Sequence, residues 1–411
     1  MLIKYIMYQT IQKCRISKKR DLVSVGNFGN MYLTGTFPKS KNQKIPSLPF
    51  EVVYSKSSKL LQLKHNYDHK LLYGDNYGYL SSLNPVMVKH LKKKSLFLKK
   101  KINFKKNDFI LDIGSNDGTY LNFFTGPNLF GIDPSIKKLT KHYKKNIKKI
   151  PYIFEKGYNF VKHKDFKLVT AFAMFYDLVD PVYFLEKVKK ILRQDGIFHI
   201  EVAYLPEIIK TFSYDTFCQE HFEYYSLISL NYLCKKTNMK ILDFGFNKIN
   251  GGSIWLNIAH AKSKYKAKDQ KLKKQILHEV KKKINKEATY KNYFKKVFEH
   301  GKKMNSIIKK IKKNNKTIYG FGASTKGNVL LQNSKIDSTL MRGIFEVNKK
   351  KFNKFTPNSG IKILDERKLK KIKTDFILLL IWHFKGYVIK KIKKFNRNTK
   401  IIIPFPKIKI I

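Results

Sequence analysis

Between Asn107 and His260 the apolar positions come in short runs: DFILDI, LFGID, PYIFEK, KLVTAFA and GIFHIEVA, with helix-like or loop segments between them. Short apolar runs of this kind fit strands of a parallel sheet covered on both faces. ILDFGF and SIWLNIAH follow, with INGG between them, and this spacing predicts a hairpin. From 265 to 315 lysine dominates, yet Leu272, Ile276, Val280 and Ile284 recur every four positions. That stripe predicts an amphipathic connector helix with its lysines on the wet face. A second series of strand-like runs begins at KTIYGFGASTKGN and continues through GIFEV, IKILDE, DFILLLIW and IIIPFP. Residues 1 to 85 look irregular, because GNFGN and FPKSKNQKIP scatter turn residues through them. The expected fold is α/β, with two doubly wound, Rossmann-like units in tandem behind a small N-terminal module. The expected boundaries are 1–85 for that module, 86–262 for the first unit, 263–315 for the connector and 316–411 for the second unit.

Composition changes this picture little. A chain of 411 residues with 43% hydrophobic and 14% aromatic residues supports several cores and excludes general disorder. The formal charge of +56 suggests a nucleic-acid partner. Arginine, however, stands only at Arg15, Arg20, Arg193, Arg342, Arg367 and Arg397, and the other basic residues are lysines spread along the whole chain. A reader of bases or phosphates leans on arginine forks, so specific nucleic-acid binding is not expected. The apolar run FILLLIW (Phe376 to Trp382) is far too short to cross a membrane. MLIKYIMYQTIQKC has no apolar signal core, and Cys14, Cys218 and Cys234 form no disulfide framework. A reducing, cytoplasmic setting is expected.

The strongest local motif is ILDIGSNDGTYL, in which an apolar strand ends at Asp112 and Gly114 and Gly118 bracket a turn carrying Asn116 and Asp117. Glycines admit a close backbone approach, and a following helix offers free N–H groups. The spacing is not that of the dinucleotide fingerprint, since its second glycine is missing. LFGIDPS ends the next strand on Asp133, where a carboxylate can accept from both hydroxyls of a ribose. The loop and this acid resemble the S-adenosylmethionine site of class I methyltransferases. FCQEHFEYYSL (Phe217 to Leu227) follows the fifth strand and sets Glu220 beside His221, with Tyr224 and Tyr225 one turn further on if the stretch is helical. It should lie over the carboxyl ends of the strands, where ligands bind in open parallel sheets.

SYDTFCQEHFEYYSL, INGGS, YGFGASTKGN and the ending IIPFPKIKII together resemble the C-methyltransferases of nucleotide-activated deoxysugars, and the likeness spans essentially the whole chain. The resemblance implies methylation at C3 of a 4-keto hexose, with S-adenosylmethionine as cofactor and a TDP-linked sugar as substrate. It implies a monomer or homodimer, with no membrane partner. By this likeness His221 removes the C3 proton and Glu220 orients it. Tyr77 and Tyr79 of YGDNYGYLSS match the segment that supplies tyrosines to this site in the family, and they and Tyr224 are the candidate donors to the enolate, without spacing to choose among them. YGFGASTKGN corresponds to the nucleotide-sugar half, with Gly320, Gly322, Ser324, Lys326 and Gly327 toward the pyrophosphate. The residue types suit the reaction: imidazole titrates near neutrality and phenols can donate to a developing oxyanion. O-methylation by the same base, or a paralogue that only binds cofactor or sugar nucleotide, is the alternative.

The chain departs from the family in three places. The two C-x-x-C pairs that usually hold zinc read CRIS (Cys14, Ser17) and SKSS (Ser55, Ser58), so no structural zinc is expected. Cys218-Gln219 stands where some members have Tyr-His, and PNSG (Pro357 to Gly360) replaces a Pro-Gly-Thr turn.

Overall fold

The computed structural model describes residues 7–73, 80–126 and 128–411. Seven strands, Phe109–Ile113, Asn128–Ile132, Ile147–Ile150, Phe166–Phe172, Leu192–Ala203, Met239–Asn247 and Ser253–His260, form one sheet. Counted along the chain their order is 3-2-1-4-5-7-6. The seventh is antiparallel to both its neighbours and the first five are parallel. Leu111, Ile113, Val169, Ala171 and Ile200 lie in the core on one side of this sheet, and Ile110, Leu168 and Ile197 on the other. This double burial explains why the runs are nearly continuous in apolar residues. The third strand is Ile147–Ile150, not PYIFEK. Pro151 has no N–H to extend the ladder, and Phe154–Gly157 turns into a short helix.

The N-terminal module is a sheet as well. Leu22–Tyr32, Ser47–Ser55 and Leu61–Leu63 pair antiparallel, and Glu223–Tyr224 adds the fourth strand beside Leu61–Leu63. GNFGN sits inside the first of these strands. Register shifts at Ser24/Gly26 and Asn27/Asn30 erase the period-two alternation that would have revealed it. The methyltransferase-like unit thus donates a strand to this module immediately after His221.

The connector consists of two helices, Asp269–Lys281 and Glu287–Lys313. The predicted stripe is only partly buried: Leu272 and Ile276 pack on the core and Ile284 is buried, but Val280 is exposed. The buried residue beside it is Glu279, which accepts from Leu227 N (2.8 Å), Ile228 N (3.0 Å) and the Tyr204 hydroxyl (2.6 Å). A carboxylate at the start of the helix Leu227–Lys236 satisfies its orphan donors.

The last unit orders its strands 3-2-1-4-5-6. Ile318–Phe321, Ile344–Glu346, Ile363–Asp365, Phe376–Leu379 and Lys400–Ile403 are parallel, and Lys409–Ile410 is antiparallel. One apolar cluster joins this unit to the N-terminal module and to the segment 205–224, through Phe50, Phe217, Phe294 and Leu378 among others. Among the described residues no helix is long and apolar enough to cross a membrane.

Candidate active site

The glycine loop begins where the first and fourth strands of the seven-stranded sheet diverge, the switch point at which such sheets bind ligands. Gly114 and Gly118 take φ of +72° and +74°, a region that favours glycine. A Cβ on either would press into protein, 2.8 Å from Met174 or 2.6 Å from the Tyr143 ring. The glycines therefore answer to backbone shape and packing, not only to close cofactor approach. Asp133 accepts from Asn116 N (2.9 Å) and Ser135 N (2.7 Å). Burial nevertheless pushes its carboxyl upward. Asp112 accepts from Thr170 Oγ1 at 2.6 Å, and burial pushes it up to about 8. Close by, the buried Tyr120 hydroxyl has no partner among the described residues. A cation at Asp112 would restore its ionised form, and the Asp133 oxygens keep lone pairs free for ribose hydroxyls. This donor set fits S-adenosylmethionine.

Asn116 and Asp117 are occupied differently from the expectation. Asn116 Oδ1 accepts from Ser81 N (3.0 Å), and Asp117 Oδ2 from Ser82 N (2.9 Å). Asp117 also accepts from Thr119 Oγ1 (2.6 Å). Burial opposes its charge, but the bonds from Thr119 and Ser82 outweigh burial and hold it below the usual carboxylate range. These side chains fasten the segment preceding the helix Pro85–Lys101 to the loop.

FCQEHFEYYSL is not helical. Its first half is a loop tied to the end of the fourth strand by Phe222 N to Tyr176 O (2.8 Å), and Tyr225 O accepts from Leu205 N (2.8 Å) beyond the fifth. It does lie over the carboxyl ends of the strands. His221 is half-buried, its ring edge-on to Tyr176 at 4.5 Å. Nδ1–H donates to Thr216 O at 2.8 Å, which leaves the lone pair on Nε2. Burial pushes the imidazole down to about 4, and the Lys326 charge adds to this against the bond to Thr216.

Glu220 does not orient this ring, because the Thr216 carbonyl holds that place. The Glu220 carboxyl is buried against Gly35 and Thr34, and its Oε2 has no donor among the described residues. It shares its surroundings with Asp177, whose Oδ1 is also without a donor. Burial pushes both carboxyls up, and Glu220 raises Asp177 further. Tyr224 and Tyr225 follow one another along a strand and so face opposite sides. The Tyr224 ring packs on Phe217 at 4.1 Å, and Tyr225 on Phe175 at 5.5 Å. The Tyr224 hydroxyl is buried and has no partner among the described residues. Tyr77 and Tyr79 lie outside the described residues. The residues flanking them reach the site, with Tyr73 OH on Glu220 O (3.1 Å) and Ser81 on Asn116. Cys218 is fully buried, and burial followed by the Glu220 charge pushes its thiol well above its usual value.

In the last unit Gly322 takes φ of +89° at the end of the first strand, and Ser324 Oγ accepts from Gly327 N (3.0 Å) to cap the helix Thr325–Asn333. Gly320 and Gly327 pack against Ile344 and Leu380. Lys326 reaches out of this unit, its Nζ donating to Asn250 O at 3.1 Å on the loop before the seventh strand of the first sheet. Its helix packs directly on Tyr214–Thr216. Motif reading missed the groups around it. Asp215, 1% exposed, accepts from Trp382 Nε1 (2.9 Å) through Oδ2, while Oδ1 has no donor. His383 has a buried, unpartnered Nδ1, and burial together with Lys326 pushes it down to about 3. His383 follows the strand Phe376–Leu379 at this sheet's own switch point, a position its place after an apolar run could have signalled.

The degenerate zinc positions do converge. Matched turns, Lys18 N to Cys14 O and Lys59 N to Ser55 O (both 3.0 Å), have φ of +64° and +59° at Lys18 and Lys59. Cys14 Sγ lies 3.2 Å from Ser58 Oγ and 3.2 Å from Gln62 Nε2. One thiol with three hydroxyls does not fit zinc, which takes thiolate or imidazole. Hydrogen bonds close the two turns instead.

Three family models match the chain: a zinc binding domain at 14–73, a methyltransferase domain at 88–243 and a C-methyltransferase C-terminal domain at 248–406. The chain is 27% identical over 409 residues to the C-methyltransferase NovU of Streptomyces niveus, covering 98% of this chain and 97% of that protein. Among solved structures, the plantazolicin methyltransferase BpumL in complex with SAH is 15% identical, over 41% of this chain and 82% of its own, with a TM-score of 0.34. An S-adenosylmethionine-dependent methyltransferase from Clostridium acetobutylicum is 13% identical, over 42% and 92%, with a TM-score of 0.32. The sheet order, the glycine loop and these family models define an S-adenosylmethionine-dependent methyltransferase. More narrowly, the three matched parts, in this order, are those of a C-methyltransferase, and the chain is similar to NovU along nearly its whole length.

Proposed function

We propose that this enzyme methylates C3 of a nucleotide-linked 4-keto deoxysugar, TDP-linked and cytoplasmic, through a C3 enolate. The observation that carries the reading is His221, with its Nδ1 proton committed to Thr216 and its Nε2 left as a base. Carbon is a poor nucleophile until a proton beside a ketone is removed, and a neutral imidazole is matched to that task. Asp112, Asp133 and the turn from Gly114 to Gly118 would hold S-adenosylmethionine, which would supply an electrophilic methyl group. The turn at Gly322 and the capped start of the helix Thr325–Asn333 offer backbone N–H groups to the nucleotide's phosphates.

In deuterated buffer, a TDP-4-keto-2,6-dideoxyhexose is expected to gain deuterium at C3, and then a methyl on C3 when S-adenosylmethionine is added. Mass spectrometry and NMR of the sugar read both. A methyl on oxygen would replace this reading by O-methylation. Asp133→Ala is expected to weaken S-adenosylmethionine binding at least ~100-fold by calorimetry, because bonds to an ionised carboxylate contribute about 1.5–3 kcal/mol each. Unchanged binding would remove Asp133 from the cofactor site.

A further inference from the structure

Lys326 belongs by sequence to the nucleotide-binding half, but its amino group is held elsewhere. Asn250, which accepts from it, lines a small cavity with Ala173, Glu201 and Ala203 at the carboxyl ends of the fourth and fifth strands. The helix bearing Lys326 packs on Tyr214–Thr216, and the Thr216 carbonyl holds the base. Thr325 stands beside the point where Gly35 meets the Glu220 carboxyl. The contacts of Thr325 and Lys326 therefore bring the start of this helix against the methyl-transfer site, and the helix as a whole packs on the segment that carries Thr216. The charge is felt at that site: Lys326 acts on His221, Asp215 and His383. Asp215, buried and with one oxygen unpartnered, lies within electrostatic reach as a counter-charge.

Building on the enolate reading, we infer that Lys326 is a catalytic residue of the methyl-transfer site, its ammonium donating a hydrogen bond to the C4 oxygen as negative charge develops there. His221 Nε2 takes the C3 proton, the C3–H electron pair becomes the C3–C4 double bond, and the carbonyl pair moves onto the C4 oxygen. Lys326 keeps its proton throughout. The pair on oxygen then re-forms the C4 carbonyl as the C3–C4 pair forms the bond to the methyl carbon; the S–CH3 bond would break with its pair on sulfur, leaving a neutral thioether. A fixed cation at the developing charge does what oxyanion donors do elsewhere. It also supplies a donor in a site where Cys218 stands in place of a tyrosine. The same charge disfavours imidazolium and so keeps His221 in its basic form.

The test compares wild type, Lys326→Gln and Lys326→Arg by deuterium uptake at C3 of a saturating TDP-4-keto sugar. Lys326→Gln is expected to slow uptake by about 10²–10³, the usual loss for one oxyanion donor, with KM and the Kd of TDP nearly unchanged. Lys326→Arg, which keeps the charge, should retain part of the rate. NMR titration of the His221 ring in the ligand-free protein should show its pKa rising in Lys326→Gln from about 4. Uptake at the wild-type rate with a raised KM and weaker TDP binding would make Lys326 a phosphate ligand and overturn the inference. Wild-type protein that exchanges no 4-keto sugar would overturn the parent reading instead, and the His221 titration tells the two failures apart.

Discussion

Replacing His221 by alanine is expected to lower both C3 deuterium uptake and methyl transfer by about 10²–10⁴, the range a general base contributes. The two losses should be equal, because the same proton removal precedes both. Asp133→Ala should separate them, sparing uptake and losing transfer. Uptake that persists in His221→Ala would assign the base to another group. The pH dependence follows from burial. With His221 pushed down to about 4, the unprotonated base is present at neutral pH, and kcat/KM should fall only as pH drops toward that value. The buried histidines weaken stability as pH falls below the ordinary imidazole value. His199, His221 and His383 are all held below the ordinary value of about 6.5 by burial, so the unfolded chain binds more protons there. Their contribution is present above that value and is lost as pH falls below it. The buried carboxyls Asp112, Asp177 and Glu220 are pushed up and act in the opposite sense as pH falls, so urea midpoints measured at each pH must accompany the acid limb of the rate profile.

The parts of this molecule legible in the sequence are those whose reasons are local. Strands covered on both faces announce themselves as apolar runs, and the loop from Asp112 to Gly118 depends on φ values that only its own residues supply. What escaped depends on partners distant in the chain. Glu223–Tyr224 is a strand because Leu61–Leu63 lies beside it, so no property of FCQEHFEYYSL could show that Tyr224 and Tyr225 face opposite ways. Glu220 looked like the orienting partner of His221 because it is adjacent. The actual partner is a backbone carbonyl, which every residue possesses and which leaves no mark in the sequence. Lys326 shows the same limit, since its motif placed it with the nucleotide while its length carries the charge across to another unit. Bulges hid the strand Leu22–Tyr32, and Glu279 was hidden because a buried acid on a helix has no period.

The donated strand also explains how a module whose residues do not fit zinc stays attached, and it makes Arg15→Met the substitution with the largest expected effect on stability. Arg15 and Glu223 are both buried, with Nε 3.7 Å from Oε1. The guanidinium further donates to Leu63 O, His65 O (3.2 Å), Gln62 Oε1 (3.2 Å) and Asn66 Oδ1. One side chain thus binds the turn at Cys14, the strand Leu61–Leu63 and the strand that follows His221. Removing it leaves an uncompensated carboxyl and two carbonyls without their donor, a loss of about 3–5 kcal/mol for a broken buried pair. Burial already pushes Glu223 up against the restraint of Arg15, and without Arg15 it rises further. Its folded value lies above its unfolded one with or without Arg15, so the added cost is absent below the value Glu223 holds beside Arg15 and grows as pH rises past it. Urea unfolding should show the gap between Arg15→Met and wild type widening as pH is raised past that value. Adding Glu223→Gln should remove that pH dependence while leaving the loss from the orphaned carbonyls. A gap independent of pH would mean that the guanidinium acts through the carbonyls alone. Catalysis should fail before the fold does, because loosening Glu223 frees the chain two residues from the base that Thr216 holds.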